Sequence, residues 1–130
     1  MTAITLTLTG RPRSTKNSRQ IIRDRRTGRV RSVMSDSAEA WMTAAIIELR
    51  RQWKGRPSAT RWNLTITLHY ANYANLPDLD NAASAILDAL KHVVVVDDSP
   101  KYIGTLTITQ HVTRGTHEHV TLTLTPQEAE

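Results

Sequence analysis

Ile4, Leu6 and Leu8 alternate with Thr5, Thr7 and Thr9 near the start of the chain. A period of two puts the apolar residues on one side of a strand and the threonines on the other. The same period returns over residues 61–70, where Trp62, Leu64, Ile66 and Leu68 share a face, and again over Tyr102–Val112 and His119–Thr125. The branched threonine side chain suits all four segments as strands. Elsewhere the period changes. Trp41, Ala44, Ala45, Leu49 and Trp53 recur at spacings near three and four and predict a helix beginning near Ser35 or Asp36. Asp36 with Glu39 resembles a capping box, and Gly55 and Pro57 end the segment. Ala82, Ala85, Ile86, Ala89 and Leu90 make a second helical stripe over Asn81–Lys91, and Val93–Val96 reads as a short buried strand.

The order is strand, basic loop or hairpin, helix, strand, helix, short strand, strand, strand. It predicts an α/β (α+β) fold, a small mixed β-sheet packed with two α-helices in a single domain. A chain of 130 residues is long enough for one modest core. Residues 11–33 form the basic loop or hairpin, because Gln20–Arg23 and Val30–Val33 flank Arg25-Arg26-Thr27-Gly28. Residues 126–130 are polar and expected to fray. Residues 119–125 or the first strand are the candidate sheet edges for pairing with a second copy. The tryptophans read as core anchors rather than base-stacking platforms.

Composition narrows the chemistry. Cysteine is absent, so disulfides and thiolate metal sites are excluded, and any metal is held by oxygen or histidine. No signal-peptide pattern or long apolar span occurs, which leads us to expect a soluble cytoplasmic protein without a membrane. The formal charge is +5, and nine of the seventeen Lys and Arg residues lie between Arg11 and Arg31, where Asp24 is the only acid. Such a block attracts polyanions through phosphate contacts; its alternative reading is a solvated loop. No Ser-His-Asp pattern, Gly-rich phosphate loop or zinc spacing is present. His117 and His119, two apart, are candidate transition-metal ligands or exposed strand-end residues; His69 and His92 sit near element ends and read as structural.

Candidate chemistry concentrates in residues 76–99. Asp78 and Asp80 precede the second helix, and Asp97 and Asp98 follow the apolar run. Alone, the first pair favours a helix cap and the second a turn. Joined through a short helix and an apolar return, they form a cluster of hard oxygens suited to Mg²⁺ or Mn²⁺. An acidic metal site in a basic protein fits phosphodiester hydrolysis, with the basic surface holding the backbone.

Pro77-Asp78-Leu79-Asp80-Asn81, then Leu87-Asp88-Ala89-Leu90, then Asp97-Asp98-Ser99 resembles the RusA-type Holliday junction resolvase family, endonucleases common in phages and prophages. Gly10-Arg11-Pro12-Arg13-Ser14 and Lys16-Asn17-Ser18 before a Trp-bearing helix are also similar. The resemblance implies a homodimer and Mg²⁺- or Mn²⁺-dependent nicking of four-way DNA junctions. By motif match it places the essential acids on Asp78, Asp80 and Asp98, with Asp97 beside them at the metal, Asn81 in support and Asp88 structural. Arg11, Arg13, Lys16, Asn17, Arg19, Arg23, Arg25, Arg26, Arg29, Arg31 and Lys101 are the expected DNA contacts. The family typically carries a lysine one turn after the second acid; here that place is Ser84, Lys91 is too far along the helix, and Lys101 or Lys16 is the candidate substitute. Two alternatives to a junction resolvase follow: a weak or inactive junction-binding relative, and a less selective branched-DNA nuclease.

Overall fold

Leu6 and Leu8 are buried while Thr5, Thr7 and Thr9 face outward, so β1 (Ile4–Thr9) carries one apolar face. The computed structural model describes residues 3–13, 19–34 and 36–127, without the side chains of 19–22 and 31–34. The same alternation buries Trp62, Leu64, Ile66, Leu68 and Tyr70 of β4 (Trp62–Tyr70) and Val120, Leu122 and Leu124 of β6 (His119–Pro126). With β5 (Ile103–Val112) these make a four-stranded sheet in the order β1-β6-β4-β5. Only the β4–β5 pair is parallel, which makes the sheet mixed. Register places Leu6, Leu122 and Ile66 side by side on the inner face, and Thr7, Thr121, Thr67 and Thr109 side by side on the outer one. β2 (Arg19–Arg23) and β3 (Val30–Met34) pair separately as a two-stranded ribbon.

Two helices cover the inner face. α1 (Asp36–Gln52) buries Ala38, Trp41, Ala45 and Leu49 and packs on β1; Ala44, expected on this stripe, lies on the exposed side. Asp36 and Glu39 lie in its first turn and Arg50 and Arg51 in its last, each sign suiting the helix dipole. α2 (Leu79–Lys91) buries Ala82, Ala83, Ala85, Ile86, Ala89 and Leu90 and packs on α1 and β5. Its small residues let it sit close to the sheet. Trp41 and Trp62 are core anchors, as expected. Among the described residues no helix is long and apolar enough to cross a membrane.

Two expectations change. Val93–Val96 is not a strand. The N–H groups of Val93, Val94 and Val95 all point to the Leu90 carbonyl, so these three complete the end of α2 and are buried there, while Val96 is exposed. A single parallel bridge, Ser58 to Val95, is the run's sheet-like feature. The free edge is also elsewhere. β6 lies inside the sheet, between β1 and β4. The outer edge of β1 is occupied by α1: Thr7 N–H donates to Gln52 Oε1 at 2.8 Å and Gln52 Nε2 donates to the Thr7 carbonyl at 2.7 Å. A carboxamide carries the same donor and acceptor as a peptide group, so Gln52 replaces a neighbouring strand. The Glu48 carboxylate accepts from Thr9 N–H and Oγ1 one pair further along. Among the described residues, the edge without such cover is β5.

Burial on one face only sets the expected mutational contrast. Leu122→Ala, on the inner face of an interior strand, should cost about 2–5 kcal/mol in urea unfolding. Thr65→Ala, on the outer face of β4, should cost under about 1 kcal/mol. Equal losses at the two positions would contradict the assigned faces.

Candidate functional site

The loop that follows β4 lies at the carboxyl end of the parallel pair, the end where open α/β sheets gather their ligands. An ion pair holds this loop. Gly10, at φ 83°, turns the chain out of β1 and donates its N–H to the Glu118 carbonyl. Arg11 follows and its Nε donates to both carboxylate oxygens of Glu118, at 2.8 and 2.9 Å. Its remaining nitrogens donate to the Ala74 carbonyl and to Asn72 Oδ1, while the guanidinium lies 5.5 Å from the centre of the Tyr70 ring. Glu118 also accepts the Ala71 N–H at 2.8 Å. The Arg11 hydrogen bond, aided by the Ala71 N–H, holds the Glu118 carboxyl below its usual 4.5. Burial pushes the Tyr70 phenol up to about 12, and its hydroxyl has no protein hydrogen-bond partner among the described residues. Asn75, further along the loop, adopts the left-handed region at φ 54°, which asparagine tolerates better than most residues.

This clasp forms one wall of an open cleft of about 740 Å³, lined among others by Arg13, Asn75, Asp78 and Asn81. Asp78 occupies the N-cap position of α2 with extended backbone, φ −62° and ψ 151°, but its side chain makes no capping hydrogen bond. The carboxylate therefore lines the cleft without serving the helix. Asp80 is exposed in the first turn. Asn81 is half-buried beside the cleft.

The second acidic pair lies at the other end of α2. Lys91, the last helical residue, places Nζ 3.9 Å from Asp98 Oδ2 and 3.4 Å from Asp88 Oδ1. Burial disfavours the charge on Lys91, but Asp88, Asp98 and Asp97 outweigh it and raise its pKa. The thirteen residues of α2 span about 20 Å at 1.5 Å per residue. The expected meeting of Asp78 and Asp80 with Asp97 and Asp98 thus does not occur within one chain, because Val93–Val95 close the helix instead of returning along it. Among the described residues no three carboxylate or imidazole side chains converge on a point where a cation would sit. Lys91, set aside on its sequence distance from Asp80, is the cation that meets the second pair. Asp88 has the structural role expected of it, as an i,i+3 partner of Lys91. The turn after Asp98 is fixed to the sheet by Arg61 Nε, which donates to the Pro100 carbonyl at 2.9 Å, and Lys101 Nζ lies 5.6 Å from the Tyr102 ring centre.

The basic residues divide into groups. Arg11 directs its donors into the clasp. Arg13 is exposed in the cleft. Arg23, Arg25, Arg26 and Arg29 are exposed on the β2–β3 hairpin. Its turn is shaped by Asp24, whose Oδ1 accepts the Arg26 N–H and whose carbonyl accepts the Gly28 N–H, both at 2.8 Å. Lys16, Asn17 and the side chains of Arg19 and Arg31 lie outside the described residues. Glu118 and Asn72 were not singled out in the sequence. Their signal is faint: an acid before one strand and a base after another mean nothing until those strands are known to adjoin.

The chain matches the family described as Endodeoxyribonuclease RusA over residues 6–123, most of its length. No curated protein matches it.

A glutamate whose folded pKa is depressed contributes stability above its ordinary value and loses it as pH falls through the folded value. Glu118→Gln should therefore destabilise the chain at pH 7, and the gap from wild type should shrink below pH 4.5. Urea unfolding at pH 7 and pH 3 measures both gaps; a gap independent of pH would contradict the ionic clasp.

Proposed function

Because the chain belongs to the endodeoxyribonuclease RusA family, whose nucleases act on branched DNA junctions, we propose that it nicks four-way junctions through the carboxylates at the two ends of α2. The observation that carries the assignment to these residues is the cleft at the end of β4. There an aspartate freed from its helix faces the same space as Arg13. Arg13 suits a phosphate oxygen and Asp78 suits a cation, so the cleft accommodates a phosphodiester with its counter-charge. The exposed arginines of the β2–β3 hairpin supply the wider DNA contact. A two-stranded ribbon fits the major groove, and its cations fit the phosphates beside it. Arg11 is not a DNA contact in this reading; it orders the loop that forms the cleft wall.

The family is generally dependent on a divalent metal. Asp78 and Asp80 are the hard oxygen donors that Mg²⁺ or Mn²⁺ selects, and a bound ion of this kind activates water and offsets phosphoryl charge. Among the described residues, the acids of a single chain do not complete such a site. We therefore take the functional unit to be a dimer paired along β5. Among the described residues that strand is the edge without cover, and Ile103–Val112 holds no lysine, proline or acid, the residues that ordinarily block edge pairing. Antiparallel pairing of β5 with its symmetry mate reverses α2. The Asp78–Asp80 end of one chain then lies on the side of the Asp97–Asp98 end of the other.

Ser84 leaves the helix without a cation near Asp80, and Lys91 is engaged with Asp88 and Asp98. Those two facts favour, as the second reading, a junction-binding protein with little turnover. Incubation of a synthetic four-way junction with the protein and Mg²⁺ or Mn²⁺ separates the two. The proposed function predicts paired nicks, lost at least about a hundredfold in Asp80→Asn with junction binding retained. Binding without nicks in either metal would support the second reading. Nicks unchanged in Asp80→Asn would remove α2 from the active site. Arg25→Ala with Arg26→Ala should weaken junction binding and lower its salt dependence by about two counterions; unaltered binding would remove the hairpin from the interface.

A further inference from the structure

Three of the five histidines form one row across β5, β4 and β6 on the outer face of the sheet, and a fourth, His117, stands beside its end just before β6. His69 of β4 lies directly opposite His119 of β6 and, on its other side, His111 of β5. The His69 and His119 rings stack at 4.2 Å with planes 12° apart. His111 stands 5.7 Å from His69, and His117 stands 6.3 Å from His119. The neighbouring position on each strand of that face is a threonine: Thr67, Thr109 and Thr121. The strand positions of this face next to the row thus bring no carboxylate that would favour imidazolium.

One ring already has its ligand tautomer set. His119 Nδ1 lies 2.7 Å from the His117 carbonyl oxygen. A carbonyl only accepts, so Nδ1 carries the proton and Nε2 presents a lone pair. Histidines that ligate metals are commonly held this way, with the second nitrogen donating to a backbone carbonyl.

We propose that His69 and His119 form a two-imidazole chelate for a borderline transition-metal ion, Zn²⁺ or Ni²⁺, with His111 and His117 flanking it. Two nitrogens on a tetrahedral zinc, at about 2.05 Å each, are about 3.4 Å apart. Cross-strand register sets His69 and His119 directly opposite each other, and the stacked rings, with planes 12° apart, must turn about their Cβ–Cγ bonds for both lone pairs to meet at one ion. Among the described residues no three ligating side chains converge on one point, so protein supplies two ligands and water the rest. Imidazole selects these ions over Mg²⁺, which separates the site chemically from the carboxylates of α2. It also lies at a consequential place. Glu118, which anchors the cleft loop, immediately precedes His119, and Tyr70, which leads into that loop, immediately follows His69. An ion joining β4 to β6 here braces the strands from which the clasp hangs.

Calorimetric titration of the full chain with Zn²⁺ and with Ni²⁺, in Mg²⁺-containing buffer at pH 7.5, tests the site. One ion should bind per chain, and the melting temperature should rise with ion concentration. Affinity should fall at least tenfold in His69→Gln and in His119→Gln, remain in His92→Gln, and decline toward pH 5.5 as protons compete for the nitrogens. Imidazole NMR of the wild-type chain provides a check that needs no variant: the His69 and His119 resonances should shift or broaden and those of His92 should not. Absence of saturable binding, affinity unchanged in both row variants, or perturbation of His92 instead of the row would overturn the proposal.

Discussion

Two parallel strands cannot be joined by a tight turn. The connection must travel back the length of the sheet before the second strand begins. β4 and β5 are the parallel pair here, and α2 makes that return journey. The residues just before α2 are therefore held at one end of the sheet and those just after it at the other. The separation is enforced by the thirteen-residue helix, whose alanine-rich stripe is locked against the core. Asp78 and Asp80 belong to the first group, Asp97 and Asp98 to the second. This constraint governs the functional reading, because the two pairs cannot share an ion inside one chain without unwinding α2.

At the first end, the local chemistry is arranged around Arg11. Its guanidinium connects the end of β1, the start of β6 and the loop after β4, so the cleft wall is fixed by three segments remote in sequence. Opposite charges do the fixing, and because both partners are partly buried, removing either one leaves the other poorly compensated. The rigid wall leaves Asp78 and Arg13 as the groups directed at whatever enters. At the second end, Lys91 partly neutralises Asp98 and Asp88. The two ends therefore differ in electrostatic state: acids open at one, acids countered at the other.

Much of the fold was legible in the sequence because period-two burial is a local property. The alternation in residues 4–9, 62–70 and 119–125 and the stripe in α2 each named their buried faces directly. What was not legible depended on partners distant in the chain. Val93–Val96 has the composition of a strand, yet the N–H groups of Val93, Val94 and Val95 are taken by Leu90, a choice set by how α2 ends. Ordering β6 inside the sheet, and covering β1 with Gln52, are likewise results of tertiary pairing. At the site, the residue types and the Asp spacing were readable. Arg11 counted as one more cation in a basic run until Glu118 was placed beside it, and Lys91 counted as distant until Asp98 folded back onto it.

If α2 holds the two acid pairs apart in each chain, catalysis needs two chains, each completing the other's site. Asp80→Asn and Asp98→Asn proteins, each inactive alone, test this when mixed and allowed to exchange subunits. In a hybrid dimer with shared sites, both substitutions fall in one site and the other is intact. Junction nicking should then return to about a quarter of the wild-type rate, since half the dimers are hybrids with one working site of two. Nicking that stays absent in the mixture, with hybrid dimers shown to form, would contradict a site shared between chains.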